Sequence, residues 1–354
     1  MLHSRIKRLR TLLCQNDLDA AVLVSPLHLR YYCGFSGSDG VLVVAADRVC
    51  FLTDSRYITQ AKQQVSADVV EQYGQKIPGI RACLERINVS MVGIESEYVT
   101  LDLYQQLQQQ APDIRWNTLA GLSALRQIKD DQELARLEQV ARMNAVAFEQ
   151  VLPQIRPGVS EREIAIELEH VLRRSGGDDK AFDLIVASGE RGACPHGVAS
   201  DKKISSGELV TIDFGACYQG YHSDETVTLA VGEVSDRLRE LYETVLAAHD
   251  LALAALKPMA AAREIDAVAR DHIRDKGYGD FFGHGLGHGV GLEIHEAPTL
   301  SPRSDALLLS GMVFTIEPGI YIPDVGGVRI EDTVLMMENG YRLLTQIPKA
   351  FRVV

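Results

Sequence analysis

One internal repeat constrains the fold more than any other feature of the sequence. Residues 211–215 read TIDFG and residues 315–319 read TIEPG. Each segment has the pattern of a strand that ends in an acid, and each is followed by a turn and a second strand with another acid. Two five-residue matches alone could arise by chance, but the shared order predicts two related half-domains, with four carboxylates facing a common seam. The four acids are Asp213, Asp224, Glu317 and Glu331.

The surroundings of these acids indicate a bound cation. Side chains on a strand point alternately to its two faces, so Asp213 is expected to share a face with Thr211. Glu317 follows the apolar run 312–316. A carboxylate in an apolar strand is costly unless it is paired or bound to a cation. One such acid is more often a surface residue at a strand end, but four of them beside a histidine cluster favour a functional site.

The histidine cluster lies in residues 283–296, which read GHGLGHGVGLEIHE. His284 and His288 are four residues apart, as in a helical zinc site, but alternate glycines would cost a helix about 1 kcal/mol each. We therefore predict loop and strand, with backbone packed closely around a site. His295 completes this cluster, and His196, in the loop sequence ACPHG, is a further candidate.

Four carboxylates with one imidazole define the kind of metal site. The set is too rich in oxygen for a structural zinc site, which prefers thiolates and imidazoles. Oxygen ligands suit harder divalent ions, so Mn²⁺ is the natural candidate, with Co²⁺ or Zn²⁺ as alternatives. The acids can hold two ions that lower the pKa of a shared water. With Arg329 and spare histidines available to stabilise an oxyanion or protonate an amine, the residues indicate a two-metal hydrolase of amide bonds.

The pattern of apolar residues divides the chain near residue 123. Residues 1–122 alternate strands and helices, which predicts an α/β domain, and residues 123–354 predict an α+β domain. Ser160, with Glu163 three residues later, predicts a helical capping box. The predicted elements of the first domain are helices at 5–16 and 57–65 and strands at 20–24, 41–45, 49–52 and 91–94. Those of the second domain are helices at 128–151, 160–174, 235–256 and 262–276 and strands at 183–188, 208–215, 223–231, 290–294, 312–317 and 328–336.

Composition argues against several classes of protein. The chain of 354 residues has a net charge of −12, so its field repels nucleic acid and anionic membranes. It has no run of 18 apolar residues, and its charged N-terminus lacks the apolar stretch of a signal peptide. The six cysteines are scattered without a CxxC pair, as in reduced cytoplasmic proteins. We therefore expect a cytoplasmic protein that binds neither nucleic acid nor membrane.

Three segments resemble the pita-bread metallopeptidases, the group of methionine aminopeptidase, prolidase, Xaa-Pro aminopeptidase and creatinase. Residues 287–296 (GHGVGLEIHE) match the signature of the proline-peptidase branch. Residues 210–226 (VTIDFGACYQGYHSDET) and 314–332 (FTIEPGIYIPDVGGVRIED) match its two metal-bearing hairpins. The resemblance covers nearly the whole chain. It implies an α/β N-terminal domain and an α+β pita-bread C-terminal domain with halves related by a pseudo-twofold axis.

The resemblance also implies a ligand set for two divalent metal ions. Asp224 and Glu331 would bridge the ions, and Asp213 would bind one of them with both oxygens. His288 and Glu317 would bind the other ion. Glu317 would in addition be the general base for the bridging water.

Five further residues receive roles by the same resemblance. His196 and His295 match histidines that contact the scissile peptide. His284 and Arg329 match residues that shape the proline-side pocket and support the site. Tyr321 matches a tyrosine near the metals in the Xaa-Pro branch.

The front part of the chain supports the Xaa-Pro branch. Residues 29–38 (LRYYCGFSGS) and 52–57 (LTDSRY) resemble segments of the N-terminal domain of Xaa-Pro peptidases, which methionine aminopeptidases usually lack. Two positions depart from the family: His28 replaces the common asparagine and Cys33 the common threonine. Both departures bear on the rim of the substrate cleft, so they leave the exact choice of substrate open.

Together these features predict an Xaa-Pro aminopeptidase that cleaves short proline-containing peptides. Family members commonly pair through the N-terminal domain, so the resemblance implies a homodimer. The alternatives are an Xaa-Pro dipeptidase (prolidase), an aminopeptidase of broader specificity and, more distantly, an inactive peptide-binding relative. Because all five metal ligands are present, the sequence argues against both the inactive relative and a creatinase-type activity.

Overall fold

A mixed sheet of six strands organises the chain up to Leu125 in the computed structural model, which describes residues 2–354. The strands are β1 (Ala20–Leu23), β2 (Val41–Ala45), β3 (Val49–Thr53), β4 (Val69–Gln72), β5 (Met91–Ile94) and β6 (Arg115–Thr118). Their spatial order is β4-β3-β2-β1-β5-β6, in which β2 is antiparallel to β1 and β3 and the other neighbours are parallel. The helices are α1 (Leu2–Gln15), α2 (Pro26–Cys33), α3 (Ile58–Gln64), α4 (Lys76–Arg86), α5 (Leu101–Gln110) and the short α6 (Ala124–Gln127).

The strands of this unit that the sequence predicts are those that lie inside the sheet. β2 and β3 are buried along their whole length, which matches their unbroken apolar sequences. The edge strands β4 and β6 were not predicted, because VVEQ and RWNT are short and half exposed and lack an apolar run. Helices α2, α4 and α5 were also missed, and α2 was hard to predict because it has only eight residues and begins at a proline.

The second unit runs from Arg126 to Val354 and combines four long helices with several small sheets. The helices are α7 (Asp131–Val151), α8 (Glu161–Arg174), α9 (Asp236–Ala255) and α10 (Ala262–Asp275), with 3₁₀ turns at Leu152–Gln154, Gly189–Ala193 and Gly279–Phe281. The strands are β7 (Asp179–Lys180), β8 (Ile185–Ser188), β9 (Glu208–Phe214), β10 (Ala216–Tyr218), β11 (Tyr221–His222), β12 (Glu225–Val231), β13 (Gly287–Gly289), β14 (Glu296–Leu300), β15 (Val313–Ile316), β16 (Gly319–Ile322), β17 (Gly326–Arg329), β18 (Asp332–Met337) and β19 (Gly340–Leu343).

The two copies of the sequence repeat fold in the same way. In the first, β9 is followed by the β10–β11 hairpin and then by β12, which pairs antiparallel with β9. In the second, β15 is followed by the β16–β17 hairpin and then by β18, which pairs antiparallel with β15. In the first copy Thr226 lies opposite the acid Asp213. In the second copy the equivalent residue, Thr333, lies opposite Thr315, two residues before the acid Glu317, so the two registers differ by two residues. Because side chains alternate with a period of two, each acid keeps its face.

The strand predicted at 290–294 is wrong. The strand in this region is β13, at Gly287–Gly289, and residues 291–295 form a loop. The backbone turns back on itself there, because Gly291 N–H donates to the carbonyl of Glu293 at 3.0 Å. The sequence VGLEI alternates as a strand does. In the folded chain, however, Gly291 packs closely against Glu296, and a Cβ atom on Gly291 would lie 2.5 Å from Oε1 of Glu296.

Two other predictions of the second unit are refined or confirmed. The strand predicted at 328–336 is interrupted at residues 330 and 331, where β17 ends and β18 begins. The capping box at the start of α8 is confirmed, since the Ser160 side chain accepts from the Glu163 backbone and the Glu163 side chain accepts from Ser160 N–H. No helix among residues 2–354 is long and apolar enough to cross a membrane.

Candidate metal centre

The five predicted metal ligands come together where the strands of the repeat end. Asp213 is on β9, Asp224 directly precedes β12, Glu317 directly follows β15, and Glu331 directly precedes β18. His288 is the middle residue of β13. All five side chains line one cavity of about 760 Å³ in the second unit. The common seam that the repeat predicts is therefore present.

Three of these residues are close enough to share an ion. Asp224, His288 and Glu331 each offer a ligand atom, and these atoms all lie within 4.8 Å of one another. His288 Nε2 is also 3.2 Å from Glu317 Oε1 and 3.5 Å from Asp224 Oδ2. Its other ring nitrogen, Nδ1, lies 3.2 Å from the carbonyl oxygen of Gly289, which can only accept. Nε2 is therefore directed at the carboxylates, as a metal-binding imidazole would be.

Unsatisfied oxygen atoms show that the donor set fits a cation. Oδ1 of Asp213 and Oε1 of Glu331 are buried and have no hydrogen-bond partner in the part of the chain that the structure describes. A buried carboxylate oxygen without a partner is costly unless a positive charge lies beside it. Both atoms belong to predicted ligands, and both residues line the cavity. Divalent ions that prefer oxygen ligands would satisfy them.

The pKa values of the acids reflect the same crowding of negative charge. Burial raises the pKa of Asp224 well above its ordinary value, and the charge of Glu331 raises it further. Burial also raises the pKa of Glu331 well above its ordinary value, and the charges of Glu317 and Asp213 add to that effect. Burial alone would raise the pKa of Glu317, but the hydrogen bond and charge of His288 lower it. Close divalent cations would offset both the burial of these carboxylates and their mutual repulsion, which together raise the pKa values.

Two threonines that the sequence did not single out orient the acids. Thr226 Oγ1 donates to Glu331 Oε2 at 2.6 Å. Thr315 Oγ1 lies 3.2 Å from Glu317 Oε1 and accepts from the backbone N–H of His288 at 3.1 Å. Groups of this kind fix the orientation of metal ligands. A sequence signal existed, because the two threonines occupy the same faces of their strands as the acids.

Arg329 connects the metal-binding acids to the rest of the cavity wall. Its guanidinium donates to Asp213 Oδ2 at 2.6 Å, to the Tyr321 hydroxyl at 3.0 Å and to the carbonyl of Pro195 at 3.1 Å. Its Nε donates to Thr226 Oγ1 at 3.1 Å. The side chain is buried, and these partners use most of its donors. Arg329 is thus part of the support of the site, with little capacity left for a substrate anion.

The remaining predicted residues also line the cavity. His284 Nε2 lies 2.9 Å from the Tyr321 hydroxyl. His295 and His196 are exposed, and the ring of His295 meets that of His288 edge-on at a centroid distance of 4.3 Å. Although His295 reaches solvent, partial burial of its ring and the nearby charge of His288 lower its pKa, which favours the neutral form. The structure therefore brings all ten predicted site residues to one cavity.

The histidine segment is held in place by a pair of residues that was not predicted from the sequence. Asp266 and Arg270 lie one helical turn apart on α10 and form two hydrogen bonds of 2.8 Å. Arg270 donates to the carbonyl of His284 at 2.7 Å, and Asp266 accepts from the N–H of Leu286 at 3.0 Å. The acid–base spacing of four residues on a predicted helix was the available signal.

Comparison with known proteins identifies relatives of both units. The model for metallopeptidase family M24 matches residues 135–338, and that for the creatinase/prolidase N-terminal domain matches residues 5–128. An uncharacterized peptidase of Bacillus subtilis is 46% identical, with 98% of each chain covered. A solved structure described as an Xaa-Pro dipeptidase of Bacillus anthracis is 42% identical, with a TM-score of 0.97 and 100% of each chain covered. A structure of an X-Pro aminopeptidase of Thermotoga maritima is 37% identical, with a TM-score of 0.92 and 99% of each chain covered.

Proposed function

Because the chain belongs to metallopeptidase family M24, we propose that it hydrolyses the peptide bond before proline in short peptides. The observation that carries the proposal is the cavity in which four acids and His288 converge while two buried carboxylate oxygens have no partner. The relatives described as Xaa-Pro dipeptidase and X-Pro aminopeptidase, which match almost the whole chain, support proline as the recognised residue.

In this proposal two divalent ions are held by the five predicted ligands, which are Asp213, Asp224, His288, Glu317 and Glu331. The ions would lower the pKa of a shared water and polarise the substrate carbonyl. Mn²⁺ is the proposed physiological metal, because the ligands are mostly carboxylate oxygens.

The chain's own side chains would position the peptide and handle its protons. Glu317, which its lowered pKa keeps ionised, would accept a proton as the general base. The exposed imidazoles of His196 and His295 would contact the scissile peptide and stabilise the developing oxyanion. His284 and Tyr321 would form the wall against which the proline ring lies, and Arg329 would hold that wall to Asp213.

The two closest forms of this activity differ at the end of the substrate beyond proline. A dipeptidase has to bind the free carboxylate of proline, and the similarity to the Bacillus anthracis protein favours this form. An aminopeptidase leaves that end open. Arg329 favours this form, because its hydrogen bonds to protein groups leave it few donors for the free carboxylate of a dipeptide. We keep Xaa-Pro aminopeptidase as the main proposal and the dipeptidase as the second candidate.

Three broader features complete the proposal. The six free cysteines fit a reducing compartment, so we place the protein in the cytoplasm. We propose a homodimer, as the resemblance implies, and a domain boundary between residues 122 and 123. Size-exclusion chromatography with light scattering would test the dimer, and separate expression of residues 1–122 and 123–354 would test the boundary.

Hydrolysis of Ala-Pro and Ala-Pro-Ala by the Mn²⁺-loaded protein tests the activity. Cleavage of the tripeptide establishes the aminopeptidase, and cleavage of the dipeptide alone establishes the dipeptidase. Glu317→Ala is the control and should be inactive on both. If neither peptide is cleaved while two ions are bound, the proline specificity is wrong.

A further inference from the structure

We propose that Lys349 is a positioning residue for the metal centre and acts through Glu225 and Asp332, which directly follow the candidate bridging ligands in sequence. The inference rests on the proposed function, because it takes Asp224 and Glu331 as metal ligands. It assigns a function to a buried ion-pair cluster that lies outside the cavity.

Each half of the repeat carries two consecutive acids where its second strand begins. Asp224 and Glu225 occupy this position at β12, and Glu331 and Asp332 occupy it at β18. Consecutive side chains on a strand point to opposite faces. The first acid of each pair lines the cavity, and the second is absent from its wall and buried behind it, with 0% exposure for Glu225 and 3% for Asp332.

One ammonium group serves both rear acids. Lys349 Nζ donates to Glu225 Oε1 at 2.7 Å and lies 3.5 Å from Asp332 Oδ1. The lysine side chain is itself buried, and it comes from the C-terminal segment after β19, outside both copies of the repeat. A buried carboxylate without a cation is costly, so the ammonium holds the two strands at a fixed separation.

The same C-terminal segment supplies further donors to the rear acids. Ile347 N–H donates to Glu225 Oε1 at 3.2 Å, and the Thr345 hydroxyl donates to Asp332 Oδ1 at 2.5 Å. His249, from α9, places Nε2 3.1 Å from Asp332 Oδ2. Residues 345–349 therefore close the two strands from behind, and Lys349 is the member that touches both.

The front acids are tied to each other across the same two strands. Glu331 N–H donates to the carbonyl of Thr226 at 3.1 Å, and the Thr333 hydroxyl donates to the carbonyl of Asp224 at 2.8 Å. One peptide unit separates each front acid from its rear neighbour, so a rear acid that moves shifts the front acid with it. Loss of the ammonium would thus alter the separation of Asp224 and Glu331, on which a shared ion depends.

Mn²⁺ binding to the full-length protein tests this role. We expect Lys349→Met to weaken Mn²⁺ binding about 10- to 100-fold, the usual effect of losing a group that orients metal ligands. Lys349→Arg, which keeps the charge, should restore part of the affinity. Glu225→Gln/Lys349→Met removes the buried carboxylate together with its ammonium partner and leaves neither group unpaired, so its Mn²⁺ affinity should exceed that of Lys349→Met. Isothermal titration of chelator-treated protein with MnCl₂ gives the affinities, and the thermal midpoint without metal is recorded for each variant.

Lys202→Met is the matched control. Lys202 is a half-buried lysine of the same unit that pairs with Glu208 at the start of β9, away from the cavity and the rear acids. Its loss should lower the thermal midpoint while Mn²⁺ affinity stays close to that of the wild type. Wild-type affinity in Lys349→Met, or an equal loss in Lys202→Met, overturns the role of Lys349. Failure of the wild-type chain to bind two Mn²⁺ ions overturns the proposed metal centre instead, so the two failures are distinguishable. If Lys349→Met does not fold, the arginine and double variants decide. Wild-type Mn²⁺ affinity in both of them also overturns the role of Lys349.

Discussion

The hydroxyl of Tyr321 donates its hydrogen bond to Nε2 of His284, across 2.9 Å. The direction follows from the other ring nitrogen, because Nδ1 lies 2.8 Å from the carbonyl oxygen of Gly285, which can only accept. Burial lowers the pKa of His284, so the ring is neutral and Nε2 has a free lone pair. The same hydroxyl accepts from Arg329 at 3.0 Å, which links the histidine to the support of Asp213.

Tyr321→Phe should reduce kcat/KM for Ala-Pro-Ala about 10- to 100-fold, because each lost hydrogen bond to a buried partner is worth about 1–3 kcal/mol. The substitution leaves Nε2 of His284 and one N–H of Arg329 without their partner. Steady-state kinetics of the Mn²⁺-loaded variant measure the effect. Tyr218→Phe is the matched control, since the Tyr218 hydroxyl contacts Gln219 outside the cavity and its loss should leave the kinetics unchanged. Equal kinetics for both variants would show that the hydroxyl of Tyr321 has no function in catalysis.

The acids and histidines that line the cavity were predictable from the sequence because their chemistry is conspicuous, whereas Tyr321 was indicated by the family resemblance alone. Acids in apolar strands and histidines among glycines are costly or unusual unless they bind something, and the repeat brought the two sets into one hypothesis. The buried strands β2, β9 and β15 were predictable for a different reason, because their mostly apolar sequences are typical of buried strands.

What the sequence did not reveal depends on contacts between residues far apart in the chain. The sequence of the 291–295 loop alternates like that of a strand, and only the hydrogen bond from Gly291 N–H to the carbonyl of Glu293 shows that the backbone turns there. The cluster formed by Lys349 joins residues more than 100 positions apart, so no local pattern indicates it. Edge strands such as β4 were missed because half-exposed strands lack a hydrophobic signal.

Gly287→Ala should destabilise the protein by at least about 1–3 kcal/mol and abolish metal binding. A Cβ atom on Gly287 would lie 2.0 Å from the carbonyl oxygen of Thr315, so β13 would have to move away from β15 and take His288 with it. Overpacking of this kind costs about 1–3 kcal/mol or more. Gly283→Ala, in the same segment, meets nothing within 4 Å and should keep both stability and Mn²⁺ binding. Denaturant unfolding and metal titration of the pair decide, and similar behaviour of the two variants would contradict the packing argument.

Ser160→Ala should lower the free energy of unfolding by about 1 kcal/mol, the usual cost of losing an N-cap. Ser160 Oγ accepts from Glu163 N–H at 3.2 Å, and the Glu163 carboxylate accepts from Ser160 N–H at 2.7 Å. Both hydrogen bonds of this capping box therefore stabilise the first turn of α8. Ser235→Ala, at the start of α9, removes one longer bond of 3.4 Å without a box and should cost less. Urea unfolding of the two variants compares them, and a larger loss for Ser235→Ala would refute the reciprocal box.

Without metal, the protein should become less stable as pH rises above the ordinary carboxyl range. Burial with other acids raises the pKa of Asp224 and Glu331 well above 3.8 and 4.5. Between these ordinary values and the raised ones, the folded chain binds more protons than the unfolded chain, so linkage makes stability fall with rising pH. Burial would lower the pKa of His288, but its hydrogen bond to Glu317 raises it, which acts in the same direction.

Bound divalent ions should remove most of this pH dependence, because they replace the protons as counter-charges and release them on binding. Glu225, whose pKa burial raises to about 7, lies behind the site and adds to the loss of stability of the metal-free protein as pH rises. The measurement is the thermal midpoint from about pH 5 to about pH 8, with chelator and with Mn²⁺. The gap between the two curves should widen as pH rises, and Asp224→Asn, which removes one of the buried charges, should flatten the curve of the metal-free protein. If the curves with chelator and with Mn²⁺ are parallel, Asp224 and Glu331 do not carry a charge that the metal-free protein leaves uncompensated. The physical argument for two ions at this seam would then fail.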